Sequence, residues 1–127
     1  MELVKVCELT IYTAADVFVN GMPIDKAIIE EAQRCKLAGG TVLKAAEGFA
    51  SKKRGFGRAK SAIFSSEANL PIIIKIVDTR ECIDKFLPYL DEIGEKHFLV
   101  TLHEVEVLKT KYIRQHLEEL RKMYEEA

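Results

Sequence analysis

The densest chemistry in the chain lies in Ser51-Lys52-Lys53-Arg54-Gly55-Phe56-Gly57-Arg58-Ala59-Lys60, which carries five cations and no acid. Lysine supplies a point charge, arginine a bidentate fork, and glycine lets backbone N–H groups approach an anion closely, so the composition suits a nucleotide or phosphate. It matches no named phosphate loop. There is no G-x-x-x-x-G-K-[ST] run, and Gly55-Phe56-Gly57 lacks the third glycine and the strand-to-helix setting of a dinucleotide fold. A solvated basic loop with no ligand is the plainer reading of the same residues. Nucleic acid competes for the same charges, with Phe49, Phe56 and Phe64 as stacking platforms. Against it, an RNA-reading sheet exposes aromatics on its central strands, where this chain offers Ile, Val, Lys75 and Tyr12; Phe49 and Phe64 then pack the loop base.

The remaining reactive side chains are scattered. His97, His103 and His116 pair with no Cys, Asp or second His at ligand spacing on one element, which argues against a metal. Glu104, Glu106, Glu118 and Glu119 read as solvated faces. No serine sits in a nucleophile elbow and no Cys–His pairing is visible along the chain, so catalysis has no anchor. Cys7, Cys35 and Cys82 are odd in number and far apart, and they read as small buried apolar groups.

At 127 residues, 48% hydrophobic and 31% charged, the chain fits one domain with a core that needs neither disulfide nor metal. A net charge of −1 argues against a surface that is all nucleic-acid footprint, though a local basic patch fits within it. No apolar stretch approaches the roughly 18 residues of a membrane span. Met1-Glu2-Leu3-Val4-Lys5 lacks the marks of a secretory signal, which points to the cytoplasm.

Several elements must hold the loop in place. Leu3, Cys7, Leu9 and Ile11 interleave with Val4, Val6, Thr10 and Tyr12, predicting a first strand over 3–12 covered on both faces. Pro23 opens a helix carrying Ile24, Ile28, Ala32 and Cys35 on one face to about Leu37, and Gly39-Gly40 supplies its positive-φ stop. A second strand runs from Thr41 to about Phe49. Residues 51–70 lack a period and read as a mobile functional loop. Ile72-Ile73-Ile74-Lys75-Ile76-Val77 predicts a central strand. Asp78 with Glu81 suggests a capping box for a helix through Ile83, Phe86, Leu90 and Ile93 toward Gly94, which Pro88 kinks or breaks after Leu87. Phe98, Val100 and Leu102 alternate on one parity, and Val105 and Val107 on the other, so a bulge or bend is expected near His103-Glu104. Ile113, Leu117, Leu120 and Tyr124 make a stripe on a terminal helix over about 110–126.

The order is α+β, a ferredoxin-like βαββαβ with a four-stranded antiparallel sheet, two helices on one face and an extra C-terminal helix. The other sheet face then needs cover, most simply from a second copy of the chain.

Leu9-Thr10-Ile11-Tyr12, Gly21-Met22-Pro23-Ile24, Leu37-Ala38-Gly39-Gly40-Thr41-Val42-Leu43, Glu47-Gly48-Phe49, Leu70-Pro71 through Asp78, Lys85-Phe86-Leu87-Pro88 and Leu99-Val100-Thr101-Leu102 together resemble the uncharacterised PII-like signalling-protein family. That family shares the trimeric ferredoxin-like fold of the nitrogen-regulatory PII proteins. The resemblance implies a homotrimer with an adenine nucleotide (AMP, ADP or ATP) in each cleft between subunits, a mobile loop that docks on a target protein, and no catalysis. It places Thr41 against the base, Gly48-Phe49 at the loop root and Lys52 on phosphate, with Lys53, Arg54 and Arg58 completing the nucleotide-binding set. Three departures stand out. The PII root Gly-Phe-Gly-Arg is replaced by Gly48-Phe49-Ala50-Ser51 and reappears at Gly55-Phe56-Gly57-Arg58, and the second phosphate loop has only Gly94-Glu95-Lys96-His97 as counterpart. Arg114 is a weak match to the PII arginines. Two other readings stay open: a nucleic-acid module using the same loop, and a small metal-responsive trimer of the same fold using His97 or His103.

Overall fold

The computed structural model describes residues 2–48, 70–94 and 98–126. β1 (Leu3–Ala14) runs antiparallel to both β5 (Pro71–Asp78) and β6 (Leu99–Leu108), and β4 (Gly40–Lys44) closes the far edge, giving the order β4-β5-β1-β6. The two strands with apolar residues on both faces, β1 and β5, hold the centre of the sheet.

α1 (Ile24–Arg34) and α2 (Arg80–Gly94) pack on one sheet face. Ile24 and Ile28 of α1 and Ile83, Phe86 and Leu90 of α2 form one buried cluster with Leu9, Ile11, Ile74 and Ile76. The expected ferredoxin-like α+β arrangement is the one observed. α3 (Lys111–Glu126) is the terminal helix. Its Ile113 and Leu117 meet Val6, Val77 and Val107, which alternation along the strands puts on the face opposite Leu9 and Ile76.

That placement corrects the expected bulge in β6. The β1–β6 register is unbroken from Leu3 opposite Leu108 to Tyr12 opposite Leu99. Val100 and Leu102 face the core under α1 and α2, whereas Val105 and Val107 face the side that α3 covers. The apolar parity switches because the covering element switches, and the backbone stays regular.

Other local expectations also shift. α1 ends at Arg34, and its stop is not Gly39-Gly40: Lys36 takes φ +58, its N–H bonds to Gln33 C=O and the Leu37 N–H to Ala32 C=O. This is a Schellman cap with lysine in the left-handed position that glycine usually fills. β4 ends at Lys44 rather than near Phe49. α2 is capped by the Thr79 hydroxyl, which accepts from Cys82 N–H at 3.2 Å, so Asp78 is free for another task. The helix runs unbroken through Pro88, whose exposed position leaves the lost backbone partner to solvent. A hairpin of β2 (Phe18–Val19) and β3 (Met22–Pro23) precedes α1, turning through Asn20 (φ 51) and Gly21 (φ 82). Positive φ at both positions is the demand of a type I′ turn, and Asn-Gly was the available signal for it.

Candidate functional site

The strands that flank the basic segment are joined by hydrogen bonds at their ends. Lys44 pairs with Ile72, Ala45 N–H donates to Pro71 C=O at 2.9 Å, and Ala15 N–H donates to Leu70 C=O at 3.0 Å. Of the expected nucleotide residues, Thr41 and Gly48 lie in the described structure and both are exposed. Phe49, Lys52, Lys53, Arg54 and Arg58 lie outside the described residues, as does the greater part of the loop assigned to 51–70.

Thr41 belongs to a polar row that crosses all four strands: Thr41, Lys75, Thr10 and Thr101 are successive register partners on the face away from α1 and α2. Lys75 Nζ lies 3.2 Å from Glu8 Oε1, and the Thr10 hydroxyl donates to the same oxygen at 3.5 Å. An ammonium has three donors, so Lys75 keeps capacity for a further acceptor while Glu8 holds it in place. The row was legible only in part, because a single lysine in an isoleucine run does not announce its neighbours.

A second polar centre lies where β5 ends. The Asp78 side chain is fully buried and accepts from Thr79 N–H at 2.7 Å, from Ala38 N–H at 2.8 Å, and from His116 Nε2, which sits 2.9 and 3.1 Å from its two oxygens. Tyr112, one helical turn before His116, stacks on the imidazole at 6.4 Å between centroids and donates its hydroxyl to the Ala38 carbonyl. Sequence spacing gave no hint of this centre; the fold joins residues from three separate segments.

A surface cavity of about 600 Å³ lies between α2 and the start of β6, lined by Leu87, Pro88, Leu90, Phe98 and the carboxylates Asp84 and Asp91. Apolar walls with two carboxylates suit an aromatic or aliphatic group better than a phosphate.

Among the described residues, no cluster of three His, Cys, Asp or Glu side chains is placed to hold a metal, and no helix is long and apolar enough to cross a membrane. Cys7 and Cys82 are buried as expected, but Cys35 is exposed, because α1 has already ended before it. Desolvation pushes the Cys7 thiol above its ordinary range. Burial does the same for Tyr89, whose hydroxyl donates to Ala27 C=O at 3.3 Å.

The DUF190 family model, described as uncharacterized ACR, matches residues 6–107. A UPF0166 protein of Aquifex aeolicus is 36% identical over 109 residues, covering 85% of this chain and 98% of that protein. A UPF0166 protein of Methanocaldococcus jannaschii is 31% identical over 107 residues, covering 84% of this chain and 95% of the other. Among solved structures, a proposed PII-like signaling protein of Thermus thermophilus superposes with a TM-score of 0.59 at 20% identity, covering 86% of this chain and 95% of that one. CPII of Thiomonas intermedia, in a structure with ADP, AMP and acetate, superposes with a TM-score of 0.58 at 13% identity, covering 85% and 93%. These structural likenesses establish the fold. With its family match and two relatives above 30% identity, the chain belongs to the DUF190 family, built on the PII-like ferredoxin fold.

Proposed function

We propose that this protein is a non-catalytic, PII-like ligand-sensing regulator that binds an adenine nucleotide in clefts between subunits and signals to a target protein through its basic loop. The observation that carries the reading is the fold shared with CPII, which has been crystallised with ADP and AMP. Two features of the chain support it. The segment from Ser51 to Lys60 carries five cations, the strands on either side of it are tied by Ala45–Pro71 and Ala15–Leu70 hydrogen bonds, and the face bearing Thr41 and Lys75 also exposes Tyr12, Leu43 and Leu99. Thr41 then meets the base, Gly48 and Phe49 form the loop root, and Lys52, Lys53, Arg54 and Arg58 meet the phosphates. Signalling is a population shift: a nucleotide that contacts one loop arrangement favours it by its differential affinity and no more. The assembly is a homotrimer acting in the cytoplasm.

Native mass measurement of the purified protein, alone and with AMP, ADP or ATP, tests assembly and ligand together. Trimers that take up as many as three nucleotides are expected. An assembly that binds none removes the nucleotide reading and leaves the loop as a docking arm for another macromolecule.

A further inference from the structure

The family match ends at Val107, so all of α3 lies beyond it. The contacts of this added helix do not spread evenly over the sheet. At its start, Tyr112 directly, and His116 through Asp78, reach one short connection, Leu37 to Gly39, that leads from the lysine-capped end of α1 into β4. Both backbone groups of Ala38 are held: its N–H by Asp78 Oδ2 and its carbonyl by the Tyr112 hydroxyl. Asp78 is in turn held by His116, and a carboxylate this deeply buried stays in place only while its donors do. Three residues after Ala38 comes Thr41, at the second position of β4 and opposite Lys75. At the far end of α3, the Tyr124 hydroxyl lies 3.8 Å from Cys82 Sγ and Lys85 Nζ sits 3.9 Å over the Tyr124 ring, so the helix also touches the first turns of α2.

We infer that His116 is a positioning residue: docking of α3 through His116 and Asp78 sets the Ala38–Thr41 segment and thereby couples the terminal helix to the nucleotide site proposed at Thr41. The inference rests on the nucleotide reading. Reciprocity follows, since any ligand that favours one arrangement of Thr41 favours docked or undocked α3 to the same extent. A partner that captures α3 would then be read at the nucleotide site.

The test combines amide hydrogen exchange with ADP calorimetry on wild type, His116→Ala, His116→Gln and Tyr112→Phe. His116→Ala is expected to speed exchange of the Ala38 amide and of α3 about tenfold or more, with the Leu9 and Ile76 amides unchanged. The same variant is expected to weaken ADP binding about fivefold or more. Glutamine can place an N–H donor toward Asp78, so His116→Gln restores both; Tyr112→Phe loosens the segment by a smaller factor and covers the case in which the alanine variant does not fold. Unchanged Ala38 exchange in His116→Ala overturns the latch. Faster exchange with unaltered ADP affinity overturns the coupling. A wild-type chain that takes up no nucleotide overturns the functional reading and the coupling with it, while the exchange data still show separately whether His116 holds Ala38.

Discussion

Tyr12 stands directly opposite Leu99 across β1 and β6, on the sheet face that α1 and α2 leave bare. Ile73 and Leu43 continue the row through β5 to β4, so one apolar line crosses all four strands beside the polar row of Thr41 and Lys75. Tyr12 is 38% exposed, and Leu43 and Leu99 47% each, which leaves large apolar side chains in water unless another surface covers them. α3 meets the opposite end of this face, near Val6 and Val107. Tyr12→Arg is therefore expected to dissociate the assembly toward the 14.4 kDa monomer in sedimentation, with the fold retained. Each large apolar side chain taken out of water contributes about 1.5–3 kcal/mol, so one charge in the row weakens association more than tenfold. A wild-type chain that sediments as a monomer at micromolar concentration would remove the self-association reading altogether.

The loop cations make a second prediction. Lys52→Ala with Arg54→Ala is expected to weaken nucleotide binding at least tenfold, since a hydrogen bond to a charged group contributes about 1.5–3 kcal/mol. Calorimetry showing unchanged affinity moves the phosphate contacts elsewhere. If the loop instead serves nucleic acid, binding falls steeply with salt and is indifferent to added ATP.

Cys35 gives a prediction about pH. Desolvation first, and the Glu31 carboxylate second, hold its thiol above the ordinary thiol range. The thiolate is the reactive form, so at mildly alkaline pH an exposed Cys35 reacts with a disulfide reagent more slowly than free cysteine does, and the midpoint of its rate against pH lies higher. Removing the neighbouring charge by Glu31→Gln is expected to lower that midpoint and speed the reaction. Cys7 and Cys82 are buried and stay silent until denaturant is added. A rate equal to that of free cysteine, unaltered by Glu31→Gln, is the contrary result.

What could be read from the chain, and what could not, follows the range of the forces involved. β1, β5 and the stripe of Ile113, Leu117, Leu120 and Tyr124 carry their own periodicity, and their placement follows from burial alone. The phase change between Leu102 and Val105 is visible in the chain but its cause is not, because the sequence does not say that α3 covers Val107. Asp78 and His116 are 38 positions apart, and neither has a neighbour whose spacing suggests a site. The cap of α1 misled for a different reason. Two glycines at 39 and 40 are the stronger stop signal, yet the chain turns at Lys36.

That turn carries the last prediction. A non-glycine residue in the left-handed region costs about 1–2 kcal/mol, and glycine at the same position costs roughly 0.5–1 kcal/mol more chain entropy on folding. Lysine returns a few tenths of a kcal/mol through its charge at the negative end of α1. Set against one another, these magnitudes leave Lys36→Gly stabilising by about 0.5 kcal/mol. The Schellman hydrogen bonds of Lys36 and Leu37 are backbone bonds that the substitution leaves intact. Urea denaturation is expected to show a higher midpoint at unchanged slope, because the surface exposed on unfolding does not change. A lower midpoint would mean that the Lys36 side chain contributes more to the native state than its helix-end charge accounts for.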